Sequence, residues 1–217
     1  MANAQGIDVS HWCPVVSFDA LVSAGISFLG IKASQGAAYR DPALLAHRDG
    51  RRARAASLVG AVFYHFPGNG DPAQEAANFL GAVGELQDDE RLALDVEQGP
   101  TGHGAPPFEW IREFVAELPQ DRGRVPLIYT ATHVWNEIGN PAWPDATVGK
   151  VGLWLKRYAA DYGPCPSPWS FPAFWQRTET GTVPGVSGPC DLDEFCLGGV
   201  DELRKWFALA PEAGKAA

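Results

Sequence analysis

Two carboxylates, Asp95 and Glu97, end the apolar segment RLALDVEQG at residues 91–99. Successive side chains of a strand alternate between its faces, so in a strand these two acids share one face and Val96 points to the other. Two like charges held this close favour a proton on one of them. A protonated carboxyl beside an ionised one is what cleavage of a glycosidic bond requires. The alternative interpretation is a solvated strand end with two incidental acids.

Short apolar segments recur along the whole chain, and helical patterns separate the first five. The predicted strands are GIDVS (6–10), SFLGIKAS (27–34), LVGAVFYHF (58–66), RLALDVE (91–97), VPLIYTA (125–131), VGLWLKRY (151–158), PAFWQRT (172–178) and CDLDEF (190–195). Near-continuous apolar runs are typical of parallel strands that are buried on both faces. The alternation with helices therefore predicts an α/β fold with a parallel sheet.

Capping signals and apolar periodicity locate the helices between these strands. The predicted helices are FDALVSA after Ser17, a helix from Asp41-Pro42 to about Ala56, one from Asp71-Pro72, FEWIREFVAEL (108–118), a short one from Thr132 and VDELRKWFALA (200–210). The connections at 159–171 and 179–189 are instead rich in Pro, Gly and Ser and show no helical period.

These patterns predict a single TIM-like barrel of five strand–helix units plus three further strands, with some outer helices missing. Eight full units need about 250 residues, and this chain has 217. We expect residues 1–210 to form one catalytic barrel domain and residues 211–217 to be a frayed tail.

Polar and aromatic residues stand at the ends of the predicted strands, where barrels of this kind place their active sites. The predicted site residues are Asp8, Trp12, Lys32, Tyr64, Asp95, Glu97, Tyr129, Trp154, Trp175, Gln176 and Asp191. Indole and phenol rings can stack on the apolar faces of sugar rings while acids bind hydroxyl groups. The alternative for the aromatic residues is a packing role, and His65 is either a donor to substrate or a satisfied core histidine.

Composition excludes several classes of function. The formal net charge of −9 argues against a nucleic-acid-binding protein, because neutralising phosphates needs a basic face. No apolar stretch reaches the roughly 20 residues that span a bilayer, so we expect no membrane insertion. Residues 1–5 show no basic region followed by an apolar one, so no signal peptide is visible.

The four cysteines show no metal-type spacing, and no metal site is predicted. Their pairing is not readable from the sequence: free buried thiols and a bridge between Cys165 and Cys190 are both open. The basic run Arg51-Arg52-Ala53-Arg54 falls on a predicted helix, and we interpret it as a solvated face.

The chain resembles glycoside hydrolase family 25, the muramidases also called Chalaropsis-type lysozymes. The matching segments are GIDVSHW (6–12), FLGIKASQG (28–36), GAVFYHF (60–66), LALDVE (92–97), PLIYTA (126–131), LWLKRY (153–158) and AFWQRTETGTVPGVSGPCDLDEF (173–195). They follow the order of the family and cover nearly all of the chain. The resemblance implies a barrel of five strand–helix units plus three further strands.

The resemblance also implies an activity and roles for the acids. Such enzymes hydrolyse the β-1,4 bond between N-acetylmuramic acid and N-acetylglucosamine in peptidoglycan. Glu97 would be the general acid and Asp95 its partner, with the 2-acetamido group of the substrate as a possible nucleophile. Asp8 and Asp191 match the two other acids of the family's cleft. They would bind sugar and tune the central pair.

The chain departs from the family pattern at three positions and matches it at another. Gln35 stands where the family often has Glu, Arg177 where an aromatic residue is common, and Asp193 where Asn is usual. These departures affect fine substrate contacts rather than the central acids. Lys32 matches a family position, and we expect it to pair with a neighbouring acid.

Two other functions compete with this one: a glycan-binding barrel without activity, and a metal-dependent wall amidase or deacetylase. The first would lack the acids, and the second would need metal ligands at strand ends, where only His65 qualifies. We expect a monomer that uses no cofactor and acts on the glycan strands of bacterial peptidoglycan. Without a signal peptide or a wall-binding repeat, we expect a phage or bacterial lysin, made in a bacterial cytoplasm and released on lysis or carried in a virion.

Overall fold

The computed structural model describes residues 2–99, 104–119, 126–143 and 151–208 as a closed barrel. Its strands are β1 (Gln5–Val9), β2 (Ile26–Gln35), β3 (Tyr39–Arg40), β4 (Gly60–Phe66), β5 (Glu90–Val96), β6 (Leu127–Ala131), β7 (Gly152–Lys156), β8 (Phe174–Gly181) and β9 (Cys190–Phe195). The order around the barrel is β1-β9-β8-β7-β6-β5-β4-β2, and the β1–β2 pairing closes it. The predicted barrel of eight main strands is confirmed. The short β3, which pairs with the end of β2, was not predicted.

In the described part of the chain six helices accompany the strands: α1 (Phe18–Ser23), α2 (Leu44–Arg52), α3 (Pro72–Val83), α4 (Phe108–Glu117), α5 (Thr132–Glu137) and α6 (Val200–Ala208). The side chain of Ser17 caps α1, and that of Asp71 caps α3, as their positions in the sequence predict. The second helix is shorter than predicted, because the chain forms turns after Arg52. The predicted tail at 211–217 lies outside the described residues.

The last strand runs against its neighbours. Strand β9 pairs antiparallel with both β8 and β1, whereas the other barrel strands pair in parallel. The parallel sheet that the first five strand–helix units predict therefore does not extend to this strand. Because of the reversal, the start of β9 lies at the same rim as the ends of the parallel strands.

Apolar side chains fill two layers. One layer lies between the barrel and the helices and includes Leu29 and Phe79. The other fills the barrel, where Trp154 packs edge-on against Tyr129 at a centroid distance of 5.3 Å. A Cβ on Gly30 would lie 2.4 Å from Cη2 of Trp154, so glycine is needed there for the indole to cross the barrel. Among the described residues, no helix combines the length and apolar character needed to cross a bilayer.

The basic run on α2 does not form a solvated face. The side chain of Arg51 is completely buried and binds Asp89 at 2.5 Å. Arg52 binds the carboxylate of buried Glu90 at 2.7 Å. These pairs attach α2 to the start of β5, so the interpretation of the run as solvated is wrong for Arg51. Arg54, which pairs with the exposed Asp19, fits it better.

Candidate active site

A cavity of about 910 Å³ opens at the rim where the parallel strands end. The predicted site residues that line it are Asp8, Trp12, Lys32, Tyr64, Asp95, Glu97, Tyr129, Trp154, Gln176 and Asp191. They come from β1, β2, β4, β5, β6, β7, β8 and β9 or the residues that follow them, so side chains distant in sequence converge on one cleft. The acids, the aromatic rings and the amide share the cavity as the barrel prediction requires.

Trp175 does not line this cavity, in contrast to the prediction. Its neighbours Phe174 and Gln176 point into the barrel, so the strand alternation turns the indole outward. Its Nε1 donates a hydrogen bond of 2.7 Å to the carbonyl oxygen of Arg157, and its ring packs edge-on with Tyr162. Trp175 therefore supports the loop outside the barrel.

Asp95 and Glu97 face the cavity from one strand end but meet different surroundings. Asp95 is buried, and its Oδ1 has no hydrogen-bond partner among the described residues. Burial first, and then the charge of Glu97, raise the pKa of Asp95 well above its usual value. Asp95 therefore keeps its proton to a higher pH than an exposed aspartic acid does.

Glu97 is instead paired with a cation. Nζ of Lys156, on β7, donates a 2.9 Å hydrogen bond to Oε2 of Glu97, and both side chains are partly exposed. Burial disfavours the charge on Lys156, but the proximity of Glu97 outweighs this effect and raises the pKa of the lysine. Burial thus favours the protonated form of Asp95, whereas Glu97 lies in an ion pair with Lys156.

Three further acids, Asp8, Asp191 and Asp193, form a cluster where β1 pairs with β9, and the first two line the cavity. Burial is the main cause that raises the pKa of Asp8 to about 8, and the charge of Asp193 adds to it. Burial likewise raises the pKa of Asp191 to about 9 and that of Asp193 to about 8. Oδ2 of Asp193 has no hydrogen-bond partner among the described residues. Burial and mutual repulsion therefore favour the protonated forms of these acids.

Gln176 connects the cluster of acids to tyrosine side chains that line the cleft. Its Oε1 accepts hydrogen bonds from the hydroxyl groups of Tyr129 (2.8 Å) and Tyr158 (2.9 Å). The two hydroxyl donors fix the orientation of the amide, so its Nε2 donates to Oδ2 of Asp8 at 2.8 Å. The Tyr64 hydroxyl approaches the other oxygen of Asp8 at 3.4 Å. Asp8 is therefore held in one orientation from two sides.

Lys32 does not form the expected pair with an acid. Its Nζ donates to Oε1 of Gln35 at 3.2 Å and lies 5.2 Å from the centre of the Phe66 ring. The amide at position 35, where a glutamate was expected from the resemblance, leaves the lysine without a bonded carboxylate. The charge of Lys32 instead acts across the cavity, where it partly opposes the rise in the pKa of Asp95.

Several cavity residues were missed by the sequence analysis: His11, Tyr39, Phe66, Lys156, Tyr158 and Glu179. One signal could have found Lys156. It stands two positions after Trp154 on the same strand, so the alternation that placed the indole in the barrel also places the lysine on that face. The pairing of Lys156 with Glu97 depends on the distance between β5 and β7 and is not visible in the sequence.

A buried serine, histidine and glutamate form a constellation that resembles a hydrolase triad. Nδ1 of His65 lies 2.9 Å from Oγ of Ser34, and its Nε2 lies 3.0 Å from Oε2 of Glu75. Ser34 and His65 are completely buried, so no substrate can reach the hydroxyl group. Glu75 also accepts from the backbone of Gly68 and Gly70, so the constellation holds the loop after β4. His65 is the satisfied core histidine of the two alternatives.

All four cysteines are free thiols. Cys13 and Cys190 are buried, and Cys165 and Cys196 are half-buried. The bridge between Cys165 and Cys190 that the sequence left open is therefore not formed in the structure.

Comparison with known proteins shows which family and which proteins this chain is similar to. A family model described as glycosyl hydrolases family 25 matches residues 7–186. Lysozyme M1 from Streptomyces globisporus is 30% identical over 203 residues, which cover 89% of this chain and 68% of that protein. The N,O-diacetylmuramidase from a Chalaropsis species is 27% identical, with 94% of this chain and 98% of that protein covered.

Solved structures give the same picture at the level of the fold. The crystal structure of a bacterial lysozyme from Streptomyces coelicolor superimposes with a TM-score of 0.79 at 29% identity, covering 97% of this chain and 98% of that one. The structure of a muramidase from Trichobolus zukalii also gives a TM-score of 0.79, at 30% identity, with 94% and 99% of the two chains covered.

Proposed function

This chain belongs to glycosyl hydrolases family 25, and from that premise we propose that it cleaves the β-1,4 bond between N-acetylmuramic acid and N-acetylglucosamine in peptidoglycan. Lysozyme and muramidase relatives support the reaction class. The observation that carries the residue assignment is the pair of acids at the end of β5: burial raises the pKa of Asp95, and Glu97 forms an ion pair with Lys156. General acid catalysis of glycoside hydrolysis needs such a pair.

Glu97 is the general acid in this proposal. Because Glu97 forms an ion pair with Lys156, it must gain a proton before it can act as an acid. In the free protein the proton lies on buried Asp95, and Glu97 is paired with the lysine 2.9 Å away. When glycan fills the cleft, the proton passes from Asp95 to Glu97. The negative charge then lies on Asp95, where the positive charge of Lys156 still stabilises it. This exchange leaves the net charge of the site unchanged.

The first chemical step then uses the substrate's own 2-acetamido group. Glu97 gives its proton to the glycosidic oxygen, the bond from that oxygen to the anomeric carbon breaks, and the bonding electrons leave with the oxygen. The acetamido carbonyl oxygen donates an electron pair to the anomeric carbon, which closes a five-membered oxazolinium ring. Asp95, now a carboxylate, accepts a hydrogen bond from the acetamido N–H and stabilises the positive ring.

The second step restores the protonated Glu97 beside an ionised Asp95, and the proton returns to Asp95 when the product leaves. The Glu97 carboxylate takes a proton from water while the water oxygen attacks the anomeric carbon. The bond from the acetamido oxygen to that carbon breaks, and its electrons return to the oxygen. Two displacements on opposite faces retain the anomeric configuration. Asp95 and Glu97 follow each other on one strand end and share one side of the bond, which makes Asp95 a poor nucleophile for attack from behind.

The test is digestion of purified peptidoglycan by the wild type and by Glu97→Gln, with mass spectrometry of the borohydride-reduced products. We expect new reducing ends on muramic acid, a loss of at least about a hundredfold in rate for the variant, and a first product of retained configuration by NMR. Glu109→Gln is the matched control, since Glu109 lies on α4 and pairs with Arg112 outside the cavity.

Other products would overturn specific parts of the proposal. Reducing ends on glucosamine would mean a glucosaminidase on the same scaffold, and freed peptides with intact glycan would mean an amidase. Inversion of the anomeric centre would remove the acetamido group as the nucleophile.

We further propose that the protein acts as a lysin on bacterial walls. The autolytic lysozyme of Clostridium acetobutylicum is 30% identical over 195 residues and supports this proposal, although only 56% of that protein is covered. Production inside a bacterium, with and without a pore-forming protein, tests it: a loss of turbidity that requires the pore is expected. Lysis without the pore would contradict release as the controlling step.

A further inference from the structure

One wall of the cleft carries groups that the proposed mechanism does not use. His11 and Trp12 follow β1, and Tyr39 lies on β3, and all three line the cavity. Glu97 and Lys156 come from β5 and β7. Around the barrel β2 and β4 separate β1 from β5. This outer wall, formed by His11, Trp12 and Tyr39, therefore stands across the cleft from the acid that protonates the leaving group.

A buried carboxylate fixes the proton position of His11. The side chain of Asp41 is fully buried, and its Oδ2 lies 2.8 Å from Nδ1 of His11. The same oxygen accepts the backbone N–H of His11 at 3.2 Å, and Oδ1 accepts that of Ala43 at 2.9 Å. A carboxylate in this position accepts, so Nδ1 carries a hydrogen, and in the neutral tautomer Nε2 is left as the acceptor. No partner for Nε2 is present among the described residues.

The other two members of the wall are exposed but held in place. The side chain of Trp12 is 81% exposed, whereas most tryptophan side chains bury the larger part of their surface. Its ring contacts that of His11 at a centroid distance of 4.5 Å, and its backbone N–H donates to Oγ of Ser10. The Tyr39 hydroxyl lies 3.1 Å from Nδ1 of His11. Ordering these rings in advance lowers the entropic cost of binding a ligand against them.

We propose that the outer wall is a subsite for an additional N-acetylated sugar ring beyond the bond that is cleaved. The indole of Trp12 supplies a flat apolar surface for the ring face, Nε2 of His11 accepts from an acetamido N–H or a hydroxyl group, and the Tyr39 hydroxyl donates to a sugar oxygen. This inference rests on the proposed function, since it assumes a glycan chain in the cleft. It adds that the protein prefers long glycan chains and obtains that preference from residues remote from the acids.

The experiment is calorimetric binding of peptidoglycan oligosaccharides of two, four, six and eight sugars, in a Glu97→Gln background that prevents turnover. We expect affinity to rise about tenfold at the length that first reaches the outer wall, as for one stacked ring with one or two hydrogen bonds. Trp12→Ala, His11→Phe and Tyr39→Phe should each reduce this stepwise rise in affinity at least threefold. In the active protein, the ratio of kcat/KM for long over short chains should fall in parallel.

Matched variants keep this test decisive. His11→Phe retains a ring beside Trp12 but has no acceptor nitrogen, while Tyr39→Phe removes only a hydroxyl group from an exposed residue. Phe171→Ala removes an exposed aromatic ring that does not line the cavity and should leave the step intact.

The outcomes separate the subsite from the function on which it rests. A step that persists in all three variants, or a loss that is equal at every length, overturns the subsite while cleavage by the wild type still supports the muramidase. A wild type that neither cleaves nor binds any of these glycans overturns both proposals.

Discussion

At the scale of residues, the charge of an acid depends on what lies within a few ångströms of it. Asp95 and Glu97 stand two positions apart on one face of a strand end. Burial raises the pKa of Asp95, whose Oδ1 has no hydrogen-bond partner among the described residues, while Lys156 forms an ion pair with Glu97. The lysine therefore stabilises one negative charge on the pair, which is the form that the proposed mechanism needs.

Replacing this lysine should move the pH dependence of the enzyme. Without the cation, the negative charge on the acid pair is less stable, so both apparent pKa values of the pair rise. For Lys156→Met we expect both limbs of the profile of kcat/KM against pH to shift to higher pH by about one unit. The expected shift is modest because the ion pair is partly exposed and solvent screens it.

Lys156→Arg provides the comparison, because it retains the positive charge. Its profile should stay near that of the wild type, with any loss confined to the height of the curve. If Lys156→Met kept the wild-type limbs, the lysine would not control the proton of the pair.

Alternation along a strand is enough to place some of the predicted residues in the cavity. Asp95 and Glu97 share a face in any strand that includes both, so their meeting in the cavity was predictable. Trp175 was misplaced because AFWQ contains apolar side chains on both faces of the strand, and the sequence does not tell which face is inside. The partner of Lys32 depended on the reach of one flexible side chain, which spacing does not determine.

At the scale of elements, the direction of β9 decides where Asp191 lies. Its sequence predicts a strand but not its orientation, and in a parallel strand Asp191 would start at the far end of the barrel. The connection from β8 consists of residues 182–189 alone. A parallel crossover needs about a dozen residues or more, so this length favours the antiparallel arrangement. The length of this connection could therefore have predicted the direction of β9.

The contact between α2 and β5 offers a test of how a peripheral helix supports the catalytic strand. Arg51 is fully buried against Asp89 and Glu90, and Glu90 is the first residue of β5. Arg51→Met would leave Glu90 buried without one of its two cations. We expect the free energy of unfolding, measured by urea denaturation, to fall by about 3–5 kcal/mol, since breaking a buried pair leaves an uncompensated charge.

The neighbouring Arg54→Ala is the control for this prediction. Arg54 pairs with Asp19 at the surface, where water and salt screen the interaction, so little change in stability is expected. Equal effects of the two substitutions would mean that Arg51 contributes no more than a surface pair.

At the scale of the whole molecule, the barrel holds acids that an ordinary core avoids. Asp8, Asp191 and Asp193 have pKa values raised to about 8, 9 and 8, with burial the largest cause in each case. In the unfolded chain these groups titrate near 3.8. The folded state therefore binds more protons than the unfolded state between those values, and stability must fall as pH rises. The loss begins above about pH 4 and is complete once the pH exceeds the folded pKa values.

Asp193 allows this dependence to be separated from catalysis. Its Oδ1 accepts a 2.8 Å hydrogen bond from Nε1 of Trp154, which the amide oxygen of asparagine can also accept. The amide nitrogen of asparagine can donate to Asp8, and the substitution removes an ionisable group from the cluster of acids. For Asp193→Asn we expect little change in Tm near pH 4 and a gain of about 4–8 °C at pH 9, from about 2 kcal/mol of avoided ionisation.

Thermal denaturation of both proteins from pH 4 to pH 9, followed by circular dichroism, measures the difference in slope. Glu113→Gln removes an exposed acid from α4, and its Tm curve should run parallel to that of the wild type. Parallel curves for Asp193→Asn and the wild type would show that position 193 does not titrate within this range. A flatter curve for Asp193→Asn alone would instead show that the protein retains an ionisable group inside its barrel at a cost in stability that grows with pH.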